Sequence, residues 1–228
     1  MKELSGNYPG IEVVALKVKY PQGGEKQLIK AITGREVPSG GLPIDVGAVV
    51  HNVGTAFAVY EAVMKNKPLV ERVVTITGKS VGKQANYLVR IGTPLTNLIE
   101  AAGGLPGDTG KVINGGPMMG RALATLDVPV TKGTSGIVIL PDALSRRKPV
   151  MNCIRCTRCS GVCPMGLEPY LIMSYSENQR WDDVKASKAM DCIECGSCSF
   201  TCPAQRPLVD YIRIGKTNVN RILRSTIK

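Results

Sequence analysis

The chain has 228 residues, 43% of them apolar and 21% charged, which is the composition of a globular protein able to bury a core. Its formal charge of +11 favours acidic partners, but with only 4% aromatic residues it lacks the base-stacking side chains of single-strand binders, so no nucleic acid is expected. The first ten residues lack the apolar core of a signal peptide, and no apolar run is long enough to span a membrane, which predicts a soluble or peripheral protein.

Residues 1–68 predict an α/β unit. The run IEVVALKVKY (11–20) has the composition of a strand, and a Gly-Gly turn then leads into a helix that ends at Gly34. A second strand is expected in DVGAVV (45–50), followed by the polar elbow HNVGT (51–55) and another helix. A helix start of this kind can bind a phosphate or a flavin, although a Thr at such a position is more often only a cap.

Residues 69–121 predict a second unit, of β-grasp order. The alternating strand patterns RVVTITGK and NYLVRI precede a helix in GTPLTNLIEAAGG. Thr93 is its expected N-cap, Pro94 its first residue and Gly103 its end. The strand KVING follows, and residues 122–148 are expected to hold a further β-strand segment and a linker.

All eight cysteines lie in the remaining segment, 149–228, in two runs of identical spacing. CIRCTRCSGVCP (153–164) recurs 39 positions later as CIECGSCSFTCP (192–203), so one unit is used twice. Each run reads C-x2-C-x2-C-x3-C-P, which is the run of bacterial ferredoxins that bind [4Fe-4S] clusters. Helices are expected after the two runs, at about 169–179 and 207–216.

Three chemistries use cysteines at this density. Disulfides need an oxidising compartment, and nothing in the sequence indicates secretion. Zinc is the remaining alternative and would make the segment a zinc-stabilised interaction module, but zinc sites usually take two ligands from each C-x2-C element. In two-cluster ferredoxins the fourth cysteine of each run ligates the other cluster. The expected ligand sets are therefore Cys153, Cys156, Cys159 and Cys202 for one cluster, and Cys192, Cys195, Cys198 and Cys163 for the other.

The motifs taken together resemble one protein family over essentially the whole chain. YPQGGEKQLI, VVHNVGTAFAVYEAV, NYLVRIGTP, GGPMMG, DVPVTKGTSGI and the doubled cysteine run resemble the C subunit of the Rnf complex. That membrane-bound ferredoxin:NAD oxidoreductase couples electron transfer to sodium or proton translocation. The resemblance implies an α+β multidomain fold with part of a complex I flavoprotein-like domain (1–68), a soluble-ligand-binding β-grasp (SLBB) domain (69–121) and a two-cluster ferredoxin-like domain (149–228).

The resemblance also implies cofactors, partners and a location. Besides two [4Fe-4S] clusters, the full-length family uses FMN and NAD(H), and FMN converts a hydride into single electrons. The implied partners are the other Rnf subunits, NADH, and ferredoxin or another acidic redox protein, at the cytoplasmic side of a bacterial or archaeal membrane. Soluble carriers of similar architecture, such as a microcompartment cobalamin reductase or a proline-reductase-associated protein, are the alternative.

Five residues match positions that contact flavin or nicotinamide in the family. They are Gly24, Glu25 and Lys26 in GGEK, and Asn52 and Thr55 in HNVGT. His51 stands where the complex I relative has another Asn. The family's Gly-rich flavin loop, of the GGAGFP kind, has no counterpart before Tyr20. A truncated form or fragment is therefore expected, whose flavin domain does not bind FMN or NADH unaided.

Overall fold

The N-terminal region contains helices without a sheet. The computed structural model describes residues 6–226. Helix α1 (Glu25–Thr33) ends at Gly34, whose φ of 72° suits glycine, and α2 (Val53–Lys65) follows a 3-10 helix (Pro43–Val46). Asn52 Oδ1 accepts a 2.9 Å hydrogen bond from the Gly54 N–H and so caps α2. Both helices expected in this region are confirmed.

The two strands expected in the N-terminal region are wrong. Residues 11–20 form neither helix nor strand, and most of them are exposed. In the second segment, the 3-10 helix takes residues up to Val46, and those that follow are not in a strand. Strand composition stabilises a strand only when a neighbouring strand and a buried face are present, and neither segment has them here.

One mixed five-stranded sheet forms the central region. Its strands are β1 (Glu71–Thr77), β2 (Ala85–Arg90), β3 (Thr109–Asn114), β4 (Arg121–Ala122) and β5 (Gly136–Pro141). Their spatial order is β2-β1-β5-β3-β4, with only the β1–β5 pair parallel. The strand expected after residue 121 is β5, which lies between β1 and β3. It therefore belongs to the same sheet as the strands of residues 69–121.

Helix α3 (Leu95–Ala101) packs its apolar face against the buried face of this sheet. Alternation along β1 buries Val74 and Ile76 completely, while the side chain of Val73 beside them is exposed. The cap residue of α3 is Pro94, one position later than the expected Thr93. The GGPMMG loop (115–120) directly follows β3.

The cysteine-rich region folds as two copies of one unit. After the short α4 (Asp142–Ser145), the first copy contains α5 (Arg158–Gly161) and α6 (Pro169–Glu177), and the second contains α8 (Ser197–Thr201) and α9 (Leu208–Thr226); α7 (Trp181–Ala186) connects them. The starts of α5 and α8, and of α6 and α9, are each 39 residues apart, like the cysteines. Backbone φ is positive at three equivalent pairs of residues: Arg155 and Glu194, Thr157 and Gly196, and Gly166 and Gln205.

Helices α6 and α9 pack against each other at the centre of this region. Their buried contacts include Ile172, Leu208 and Ile212, each no more than 1% exposed. Leu208 and Ile212, four positions apart, lie on one apolar face of α9. Among residues 6–226, no helix has the length and apolarity needed to cross a membrane.

Candidate metal centres

Four thiols surround a surface cavity of about 500 Å³, which we call the outer site. It is lined by Cys153, Cys156, Cys159 and Cys202. The first two cysteines are exposed and the other two are half-buried. Tyr170 and Arg206 complete the wall, and Arg206 is held by an ion pair of 3.1 Å with Glu177.

The other four thiols line a narrow, buried cavity of about 20 Å³, which we call the inner site. These are Cys163, Cys192, Cys195 and Cys198. Both Cys195 and Cys198 are 7% exposed. The backbone N–H of Glu194 donates to Cys192 Sγ, and that of Leu167 donates to Cys163 Sγ, each at 3.4 Å. Such N–H donors stabilise the negative charge of thiolate ligands.

Each site therefore combines three cysteines from one run with the fourth cysteine of the other run. The cysteines lining each cavity are grouped as in the expected ligand sets, and the assignment of these thiols as cluster ligands stays a prediction. Among the residues that the structure describes, no three His, Cys, Asp or Glu side chains converge to hold one metal ion. Each set supplies four cysteine thiols, which is the donor type and number that a [4Fe-4S] cluster needs.

Burial affects the protonation of two inner thiols. Burial, reinforced by the neighbouring thiols, raises the pKa of Cys198 to about 12. Burial likewise raises the pKa of Cys192. Cys192 and Cys198 are consequently neutral thiols at pH 7 when no metal is bound, chiefly because burial disfavours the thiolate form. A bound metal would make them ligands by displacing their protons.

The inner cysteine loop, residues 192–196, is clamped by charged side chains from α9. Lys216 Nζ donates to the carbonyl oxygen of Cys192 at 2.7 Å and to Glu194 Oε1 at 2.8 Å. Arg213 Nε donates to Glu194 Oε2 at 2.9 Å. Partial burial alone raises the pKa of Glu194, but the hydrogen bonds and charges of Lys216 and Arg213 outweigh it and lower that pKa. The carboxylate therefore stays ionised and the loop stays fixed.

Two segments that are distant in sequence also contact the inner loop. The Tyr20 hydroxyl donates to the carbonyl oxygen of Cys195 at 2.5 Å, across 175 positions of sequence. Arg213 donates to the carbonyl oxygen of Met119 at 3.3 Å, which joins the GGPMMG loop to α9. A side chain at Gly196 would stand 2.8 Å from the carbonyl oxygen of Met118. All three regions of the chain thus meet at the inner loop.

The sequence analysis did not predict that these contacts would hold the inner loop and not the outer one, because the two runs have the same cysteine spacing. The sequence does contain one signal that distinguishes the inner loop from the outer loop. Arg155 in the outer loop and Glu194 in the inner loop occupy equivalent positions but carry opposite charges. Only the second finds an ion-pair partner among the described residues.

The five residues matched to flavin positions are separated in the structure. Gly24, Glu25 and Lys26 line an open groove of about 900 Å³ that also reaches Ile193 of the inner loop. Asn52 and Thr55 lie at the start of α2 and are not among the residues that line this groove. The structure therefore brings together three of the five, next to the inner site.

Three family models match consecutive parts of the chain. Residues 1–61 match the Nuo51 FMN-binding domain, residues 73–122 match the SLBB domain, and residues 152–206 match the 4Fe-4S dicluster domain. The order and the type of all three regions are those that the sequence predicts. The α+β multidomain class and the dicluster region are thereby confirmed.

Curated relatives cover nearly the whole chain. The C subunit of the Na(+)-translocating ferredoxin:NAD(+) oxidoreductase complex of Acetobacterium woodii is 50% identical over 94% of this chain and 48% of its own length. The proton-translocating counterpart of Clostridium ljungdahlii is 49% identical over 91% and 46%. The C subunit of the ion-translocating oxidoreductase complex of Erwinia tasmaniensis is 44% identical over 97% and 28%. The chain spans about half or less of the length of these relatives.

Proposed function

Because the chain belongs with the C subunits of Rnf-type ion-translocating oxidoreductases, as its resemblance predicted, we propose that it passes single electrons within such a complex. One observation carries the proposal: eight thiols, grouped in two crossed sets of four, line two cavities in one small region. When bound there, [4Fe-4S] clusters supply one-electron redox chemistry. The outer and inner sites would each hold one.

The residues of the chain hold and tune these groups. The crossed fourth cysteines, Cys163 and Cys202, tie the two repeats together, so that neither site is complete without the other repeat. Backbone N–H groups directed at Cys192 and Cys163 disperse thiolate charge. Lys216 fixes the backbone of the inner loop and adds a positive charge beside it. The surrounding apolar side chains exclude water from the inner site.

The rest of the proposed function concerns cofactors and partners of the larger assembly. The groove formed by Gly24, Glu25 and Lys26 would contribute to binding FMN and NADH, together with further segments of the kind that the longer relatives contain. The partners are the other members of the complex and ferredoxin or another acidic redox protein. The chain would lie peripherally, at the cytoplasmic side of the membrane. Its charge of +11 supports an acidic partner.

Metal analysis of the anaerobically purified chain tests the proposal. We expect a brown protein with broad absorbance near 400 nm and about eight irons and eight sulfides per chain. Reduction with dithionite should give the paramagnetic signals of reduced clusters. A colourless protein that contains about two zinc ions would contradict the proposal and leave a zinc-stabilised interaction module.

Flavin titration of the same sample tests the separate expectation about FMN. Since Asn52 and Thr55 do not reach the groove, we expect no tight stoichiometric FMN binding by this chain alone. Tight binding would overturn that expectation without affecting the metal centres.

A further inference from the structure

We propose that the exposed face around the outer site, centred on Arg155 and Arg158, is the docking surface for an acidic iron-sulfur electron carrier. The inference rests on the proposed function and adds that, of the two repeated sites, the outer one faces the partner. We call this surface the arginine face. It comprises Cys153, Ile154, Arg155, Cys156 and Arg158, all of them exposed.

Burial separates the two sites in spite of their shared sequence pattern. At the inner site, Cys195 and Cys198 are buried, and Tyr20, Met118 and Lys216 close the loop from outside. At the outer site, the equivalent cysteines include an exposed one, Cys156, and Ile154 is 68% exposed. Electron transfer between proteins needs a close approach of the two redox groups, so the outer site is the one that a second protein can reach.

The charge of the arginine face indicates that its partner is acidic. Arg155 and Arg158 flank Cys156, and within residues 6–226 neither guanidinium makes a hydrogen bond or an ion pair that would neutralise it. At the equivalent inner position, Glu194 is ion-paired with Arg213 and Lys216. Two unneutralised arginines therefore face solvent beside the cysteines and suit the carboxylates of an acidic carrier.

Equivalent residues of the two loops share a left-handed backbone conformation but carry opposite charges. Arg155 and Glu194 have φ values of 54° and 56°. Each residue directly precedes the second cysteine of its run. Glu194 forms ion pairs within the protein, whereas Arg155 has none among the described residues and is available to a partner.

Binding measurements on the cluster-loaded chain test the proposal. The probe is an oxidised plant-type [2Fe-2S] ferredoxin, which is acidic, titrated by calorimetry at low and at high salt. We expect the double variant Arg155→Glu/Arg158→Glu to bind about tenfold more weakly or worse at low salt, with a flatter salt dependence. The matched control is Lys79→Glu/Lys132→Glu, which makes the same charge change at exposed positions of the sheet region. The control should retain most of the affinity.

Iron and sulfide content, measured on every variant, separates this proposal from the proposed function. If both double variants weaken binding equally, only the net charge attracts the ferredoxin and the arginine face is refuted. If neither variant changes the affinity, or if the parent chain with its full iron content does not bind the probe, the docking surface is likewise refuted. A chain without iron would instead contradict the proposed function.

Discussion

Gly196→Ala tests the contact between the inner loop and the sheet region. Gly196 has a φ of 84° and would place a Cβ 2.8 Å from the carbonyl oxygen of Met118. The left-handed backbone costs about 1–2 kcal/mol for an L-residue. Relieving the clash costs about 1–3 kcal/mol more, because a backbone atom must move. The two costs arise from different strains and therefore add. Gly196→Ala should destabilise the local contact by about 2–5 kcal/mol.

The expected result is selective loss of iron from the inner site. At about 1.4 kcal/mol per factor of ten, even the lower figure opens the loop about 30 times more often. The assay follows absorbance near 400 nm after addition of an iron chelator to the anaerobic protein. Half of the absorbance should decay at least about 30-fold faster than in the parent chain, and the other half should decay at the parent rate.

Gly161→Ala is the matched control for the same substitution. Its added Cβ would meet no atom within 4 Å, and its φ is not in the left-handed region. We expect the parent rate of iron loss from this variant. Parent-like kinetics for Gly196→Ala, or equal damage from both variants, would refute the inferred contact with Met118.

Four further predictions address the side chains that hold the inner loop, the core of the sheet region and the metal. Tyr20→Phe removes one hydrogen bond to the inner loop and should destabilise it by about 0.5–1.5 kcal/mol, measured as faster chelator access to half of the iron. Lys216→Met should lower the midpoint potential of one cluster only, in a redox titration followed by electron paramagnetic resonance, while exposed Lys185→Met should change neither. Ile76→Ala should lower the stability of the sheet region by about 2–5 kcal/mol in urea unfolding without changing the iron content. Iron removal should reduce the helical circular dichroism of the cysteine-rich region and leave the buried sheet core folded.

The cysteine spacing identified a two-cluster ferredoxin pattern, and the expected grouping of the thiols came from the crossed ligation of that class. Three cysteines at intervals of three residues define one side of a site, and the 39-residue repeat defines the second. Helices that depended on local signals were predicted as well: α1 ends at Gly34, and α6 and α9 begin close to the expected positions. In each case the determining residues lie within one or two turns of each other.

Features that depend on distant partners could not be predicted. The segments 11–20 and 45–50 have the composition of strands, but the structure gives them no adjacent strand. The Tyr20 contact with Cys195 joins residues 175 positions apart and has no local signature. The unequal burial of the two sites arises from the same long-range packing, which the repeat by itself does not indicate.

The crossed assignment of the cysteines is tested most directly by single alanine variants of the cluster-loaded chain. Cys195→Ala should disable the inner site, and Cys156→Ala should disable the outer one. With crossed ligand sets, reduced Cys163→Ala should give the same electron paramagnetic resonance spectrum as Cys195→Ala, because both retain only the outer cluster. A Cys163→Ala spectrum that matches Cys156→Ala instead would contradict the crossed arrangement.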